Sequence, residues 1–348
     1  MIQFEVNVPI KKLNNKKKLI LVADIGGTKT RFAVIDLDSK SKQLFLYVVL
    51  QSSKIKDFVK VINEVLKQLR NKYKLHITVG SFAAAGKISQ NQEILKLTNV
   101  NITLNSKEIL EKTNLKKVFL LNDYQAAAYG LLNLDKNDFV QINKGENLNE
   151  ETKVVVGAGT GLGQGVLFYN NCYKKYFAYP SEAGHSDFAS RNEEELNLIN
   201  FVKKIKKVKN IEWEDFLSGS GISNIYKFLA KNQKTTKYLL DIKKNNYDPI
   251  LISKFRKKDL TSKRTFALFS KLHARYAKNL ALNFLASGGV YIAGKIAAEN
   301  IDIFKSSKFL AEFINSSKFK LFLKKTSVFI IKDYNLGLYG AAIFAEQK

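Results

Sequence analysis

Residues 19–30 read Leu19-Ile20-Leu21-Val22-Ala23-Asp24-Ile25-Gly26-Gly27-Thr28-Lys29-Thr30. Five apolar residues, a carboxylate and two glycines spell a buried strand that meets a tight turn. The N–H groups of Gly26 and Gly27 and the Thr28 hydroxyl suit a phosphate, and Asp24 suits a water of Mg²⁺. An ordinary Gly-Gly hairpin turn reads the same way. The stretch is not a P-loop, because no GxxxxGK[ST] occurs in the chain.

Outward from this strand, Phe32–Asp36 and Leu44–Val49 flank a polar turn and predict a hairpin. Phe58, Val61, Ile62, Val65, Leu66 and Leu69 recur at helical spacing, and Ile77–Gly80 reads as a further strand. The N-terminal third therefore predicts a mixed sheet covered by helices. Beyond residue 134, Val154–Val156 predicts a strand whose hairpin turns at Asn170-Asn171. Residues 266–286 predict a long amphipathic helix stopped by Gly288-Gly289. Short strands at Val290–Ala293 and Ser327–Ile331 and a closing helix, LGLYGAAIFAEQ, follow. No internal repeat is visible in the sequence.

Bulk composition narrows the class. A chain of 348 residues fits two domains. No stretch of eighteen uncharged apolar residues appears, and MIQFEVNVPIKKLNNKKK lacks the apolar core of a secretory signal, so a cytoplasmic protein with no membrane partner is expected. A single cysteine, Cys172, rules out an internal disulfide and any multi-cysteine metal site. The formal net charge is +26, built from 51 Lys and only 6 Arg. Arg is the better residue for bidentate phosphate and base contacts, so a solvated lysine surface is expected, with no nucleic-acid partner. Residues 196–264 are the densest part, with 17 basic and 6 acidic residues.

Several stretches carry chemistry, and each has a plainer reading beside it. In Gly157-Ala158-Gly159-Thr160-Gly161-Leu162-Gly163-Gln164-Gly165, alternating glycines suit a turn where backbone approaches a ligand, or a softened strand. The register excludes the dinucleotide fingerprint GxGxxG. In Leu120-Leu121-Asn122-Asp123-Tyr124 a strand delivers a carboxylate to a helix start, where Asn and Asp also serve as caps. In Ser181-Glu182-Ala183-Gly184-His185, carboxylate and imidazole suit sugar hydroxyls, or a polar surface loop. Glu212-Trp213-Glu214-Asp215 is an acidic cluster before a Gly-rich helix start, and Gly288–Ile296 is a strand between glycines.

In order and spacing these stretches resemble the bacterial-type glucokinase family of the sugar kinase/actin-like ATPase superfamily, from about residue 19 to residue 346. DIGGTKTR and GAGTGLGQG are similar to its two phosphate motifs, LLNDYQAAAYG to its catalytic segment, SEAGHSDF and EDFLSGSGISNIY to its sugar-binding segments, and GGVYIAGKI to its adenosine motif. The related repressor-type sugar kinases carry a zinc-binding cysteine cluster that Cys172 alone cannot build. That points to the zinc-free branch.

The resemblance implies an α/β, two-domain, actin-like ATPase (ribonuclease H-like) fold with a central cleft that closes to exclude water. Residues 1–133 with 335–348 would form the small domain, and 134–334 the large one. The implied activity is ATP- and Mg²⁺-dependent phosphorylation of glucose at its 6-hydroxyl, feeding glycolysis. A kinase of mannose or fructose, or a sugar-sensing protein on the same fold, is the alternative. The implied general base is Asp123. Asn99, Asn122, Glu182, His185 and Glu214, with Asp123, would bind sugar. Asp24, Ile25, Gly26, Gly27 and Thr28, with Gly159, Thr160, Gly161 and Gly294, would bind nucleotide, and Asp24 would hold Mg²⁺ through water. The chain departs from the family at Lys295, Lys87 and Ile102. A homodimer is allowed, and the oligomeric state stays open.

Overall fold

The computed structural model describes residues 5–6, 18–39, 42–89, 91–97, 102–146, 148–231, 233–333 and 335–348. Asn99 lies outside the described residues. The chain divides into two compact units, one of Met1–Lys136, Asn170–Pro180 and Asn335–Lys348, the other of Asn137–Tyr169 and Ser181–Tyr334. The segment Asn170–Pro180 thus sides with the first unit, against its sequence-based place in 134–334. The reason is local: Gln125 Nε2 donates to the Ala178 carbonyl at 3.0 Å.

The first unit contains β1 (Glu5–Val6), β2 (Leu19–Ile25), β3 (Lys29–Asp36), β4 (Leu44–Gln51), β5 (Val79–Ala84), a small sheet of β6 (Gly86–Ile88), β7 (Ile94–Leu97) and β8 (Thr103–Asn105), and then β9 (Lys117–Asn122). Its main sheet runs β1-β4-β3-β2-β5-β9. The β3–β4 hairpin forms as the two apolar runs around a polar turn predict, with Phe32 opposite Val48 and Val34 opposite Leu46. Helix Phe58–Tyr73 buries Phe58, Ile62, Val65 and Leu69 along one stripe, while Val61 and Leu66 sit at its edges. Asp57 caps its start by accepting from Lys60 N, and Lys74 ends it in the left-handed region at φ 56°. The strand expected at Ile77–Gly80 begins two residues later and continues to Ala84. Its run Ser81-Phe82-Ala83-Ala84 pairs in parallel with both β2 and β9 and is buried on both faces, so no alternation marks it.

The second unit contains β10 (Phe139–Asn143), β11 (Lys153–Ala158) and β12 (Leu162–Asn170); β13 (Lys175–Ser181) follows in the chain, then β14 (Val290–Ala293) and β15 (Val328–Ile331). Its strands run β10-β15-β14-β11-β12. The long helix spans Leu260–Asn283, starting six residues before the predicted 266 and stopping before Gly288-Gly289. Asp259 caps it, accepting from Ser262 N at 2.7 Å. Thr261, Ser262 and Thr265 are buried polar residues in its first turns, which is why the apolar pattern misses that end.

The two units repeat one topology that the sequence hides. In each, an antiparallel hairpin (β2–β3, β11–β12) leads on from its first strand to two parallel neighbours (β5 and β9; β14 and β15). The last parallel strand of the first unit, β9, runs into helix Asp123–Gly130, and β15 is followed in the chain by helix Leu336–Gln347, which belongs to the first unit. The two glycine-rich stretches are the equivalent hairpin turns.

Candidate functional site

In the first unit, Asp24 stands at the carboxyl end of β2. Its Oδ2 accepts from Arg31 Nη1 at 2.9 Å, from the facing position on β3. Burial pushes its carboxyl up from the ordinary value, and Arg31 opposes this. Gly337, in the first turn of the closing helix, lies so close that a Cβ there would sit 3.2 Å from Asp24 Cγ. The turn itself is pinned by Ser52, whose hydroxyl donates to the Gly26 carbonyl at 2.6 Å and whose N–H donates to the Thr28 carbonyl at 3.0 Å. Gly27 is half-buried and Thr28 exposed, whereas the Ile25 side chain is in the core. Ile25 can therefore offer a ligand only backbone.

At the end of β9, Asn122 caps helix Asp123–Gly130. Its Oδ1 accepts from Tyr124 N at 2.9 Å and Gln125 N at 3.2 Å, and its Nδ2 donates to the Gly86 carbonyl at 3.1 Å. The Asn122 side chain thus serves as the helix cap and keeps one N–H beyond these bonds. Asp123, half-buried, is the first helical residue, and its Oδ1 accepts from Tyr124 N at 2.9 Å.

In the second unit, residues 182–188 and 211–215 zip together. Phe188 N donates to Ile211 O at 2.8 Å and Trp213 N to Ser186 O at 3.1 Å. Phe188, Trp213, Phe216 and Tyr276 form an aromatic floor under them, with ring centroids 4.7–5.1 Å apart. The zipper brings Glu182, His185, Glu212 and Glu214 into one cluster. His185 Nδ1 lies 2.8 Å from Glu212 Oε2. The hydrogen bond to Glu212 raises the His185 pKa above its ordinary value; burial opposes it, and Glu214, Glu212 and Glu182 add their charge. Behind Glu182, Tyr276 donates to Gln164 Oε1 at 2.7 Å, Gln164 donates to Ser181 Oγ at 2.8 Å, and Ser181 Oγ accepts from Ala183 N at 3.2 Å. Burial pushes the Tyr276 hydroxyl up, so it stays a neutral donor.

The turn between β11 and β12 meets this cluster. Glu214 Oε2 accepts from Leu162 N at 2.7 Å, and a Cβ on Gly161 would come within 2.5 Å of that oxygen. Gly159 differs, because a Cβ there would meet nothing within 4 Å. Its carbonyl accepts from Gly219 N at 2.8 Å, and Thr160 is exposed. Gly294 combines φ +93° with a contact of 2.8 Å from its would-be Cβ to Ala158 O, so no other residue fits there. The departure next to it, Lys295, turns its ammonium to Glu299 at 3.4 Å.

Three residues beyond the predicted set belong to these clusters: Arg31, Glu212 and Gly337. Arg31 lies inside the motif DIGGTKTR and Gly337 inside the closing helix LGLYGAAIFAEQ. Glu212 was visible only as one acid among several.

The glucokinase from an Antarctic psychrotroph superposes on the chain with a TM-score of 0.80 at 25% identity, covering 95% of this chain and 99% of that one. The fold is that of the sugar kinases in the actin-like ATPase superfamily. The sequence profile of the glucokinase family matches residues 21–348. A glucokinase of Trichormus variabilis is 32% identical over 343 residues, 94% of this chain and 98% of the relative. One of Helicobacter pylori is 31% identical over 328 residues, 94% and 95% respectively. The chain belongs to the glucokinase family.

Proposed function

We propose that the chain moves the γ-phosphoryl group of ATP onto the 6-hydroxyl of glucose, the activity its relatives are named for. One observation carries the reading. Asn122 already caps the helix, so the Asp123 carboxylate sits on rigid backbone without being the cap. A primary hydroxyl is a poor nucleophile until its proton has somewhere to go. Asp123 takes that proton as the bond to phosphorus forms.

The second unit supplies Glu182, His185 and Glu214 for the sugar hydroxyls. Their mutual spacing is held by the zipper and its aromatic floor, which is the positioning that phosphoryl transfer depends on. Gly26, Gly27 and Thr28, and separately Gly159 and Thr160, meet phosphate oxygens. No protein neighbour demands glycine at 159, which supports a ligand as the reason. Gly294 lies against the adenosine. Asp24 fits a Mg²⁺ that arrives on phosphates: a single carboxylate, its charge penalised by burial, has Arg31 beside it as its cation among the described residues. When bound, Mg²⁺ neutralises phosphate charge. The reading places the protein in the cytoplasm, without a nucleic-acid partner. Among the described residues, no helix is long and apolar enough to cross a membrane.

The test is a coupled assay with glucose, mannose, fructose and galactose, each with several nucleotides. Glucose is expected to exceed galactose at least roughly a hundredfold in kcat/KM, because a mismatched epimer leaves a buried polar group unpaired. Equal rates on the two sugars would refute the glucose assignment. Silence on every hexose would refute the kinase.

A further inference from the structure

We infer that Glu212 is a positioning residue that keeps His185 a hydrogen-bond donor toward the sugar. The inference rests on the sugar-kinase reading and deepens it.

The argument starts with what each group can do. An ionised carboxylate only accepts hydrogen bonds. His185 Nδ1, 2.8 Å from Glu212 Oε2, therefore carries its hydrogen toward Glu212. That leaves Nε2 as the ring atom for a ligand. The other groups offered to a sugar here, Glu182 and Glu214, are carboxylates and also only accept. A sugar hydroxyl has lone pairs as well as a proton, and its lone pairs need a donor. Within this cluster the donor is Nε2–H, and with Nδ1 already committed that means the doubly protonated ring.

The pair is held by backbone on both sides. Glu212 N donates to Asp215 Oδ2 at 2.9 Å, and Asp215 is buried and paired with Lys206. Ser186 O, next to His185, accepts from Trp213 N, next to Glu212, at 3.1 Å. The charged groups facing His185 are Glu182 on its own turn and Glu212 and Glu214 on the packed segment, all negative, and the hydrogen bond and charges favour the protonated ring. As a half-exposed ion pair, with side chains 44% and 40% exposed, the contact contributes little stability, so its consequence is orientation and protonation.

The experiment follows the His185 ring through pH by NMR and, in parallel, glucose KM and kcat from pH 5.5 to 8.5, on the wild type, E212Q and E212A. Melting temperatures establish that each variant is folded. In the wild type, glucose KM climbs as His185 loses its proton. In E212Q, which keeps an acceptor but not the charge, the ring titration and the climb in KM both move to lower pH. In E212A, glucose KM also rises roughly fivefold at the acid end, the loss of one hydrogen bond, with kcat moving less. A ring titration unchanged in E212Q, or one that moves while the KM profile stays put, overturns the inference. A wild type silent on all hexoses would instead overturn the kinase reading itself.

Discussion

Gly161 and Glu214 are fitted to each other: the carboxylate that accepts from Leu162 N occupies the space where a side chain on residue 161 would begin, 2.5 Å from its Oε2. Family resemblance places Gly161 with the phosphates, and the packing sets it against the Glu214 carboxylate. Gly161→Ala should push Glu214 out of place. Glucose KM should rise about tenfold or more, since misplacing a binding group by an ångström is costly, while ATP KM changes less than about twofold. Measuring both constants on the variant decides it. A loss confined to ATP KM would return Gly161 to the phosphates.

His273 makes the fold sensitive to acid. It is fully buried against Phe269 and Phe304, and neither ring nitrogen has a hydrogen-bond partner among the described residues. Burial lowers its pKa to about 4. The unfolded chain therefore takes up the proton first. Stability is intact above about pH 6.5 and drains as pH falls toward 4, by roughly 3 kcal/mol in all. His273→Leu should flatten this acid limb in melting curves recorded from pH 7 to pH 4. An unchanged slope would mean the ring is charged in the fold.

A buried ion network ties the helix Glu193–Lys206 to Leu260–Asn283. Arg275, 3% exposed, donates to both Glu195 oxygens at 2.8 Å, and its Nε donates to Glu312 at 3.1 Å. Arg275→Met leaves Glu195 buried with the more distant, partly exposed Lys271 at 3.6 Å as its cation, which should cost about 3 kcal/mol. Adding Glu195→Gln removes the stranded charge and keeps an acceptor for Arg191 N, so it should recover part of the loss. Denaturant titration of the single and double variants measures this. A double variant no more stable than Arg275→Met would show that the cost is lost packing.

Much of this was legible in the sequence because it is local. The closing helix reads as Leu336–Gln347 from its apolar content, and the β3–β4 hairpin from two apolar runs around a polar turn. What escaped is long-range. Glu214 lies far along the chain from Gly161, and Glu212 from His185, so no periodic pattern links them. The cap by Asn122 was one of two readings for the Asn-Asp pair, and only the acceptor geometry at Tyr124 N and Gln125 N divides the roles. The repeated topology was hidden because its two copies share strand order and turn position rather than residues. The start of helix Leu260–Asn283 was lost because buried Thr261, Ser262 and Thr265 look like surface.

The central claim is that Asp123 takes the proton of the sugar hydroxyl. Asn122 carries the cap, so Asp123→Asn leaves the helix start intact, and Asn is nearly isosteric. Asn cannot take a proton. Turnover of Asp123→Asn, measured on a preparation whose melting and glucose binding are also recorded, is the direct test. The variant should melt like the wild type, bind glucose within about tenfold and lose roughly a hundredfold or more in kcat. A variant that melts normally, binds glucose and turns over near the wild-type rate would contradict the assignment of Asp123 as the base.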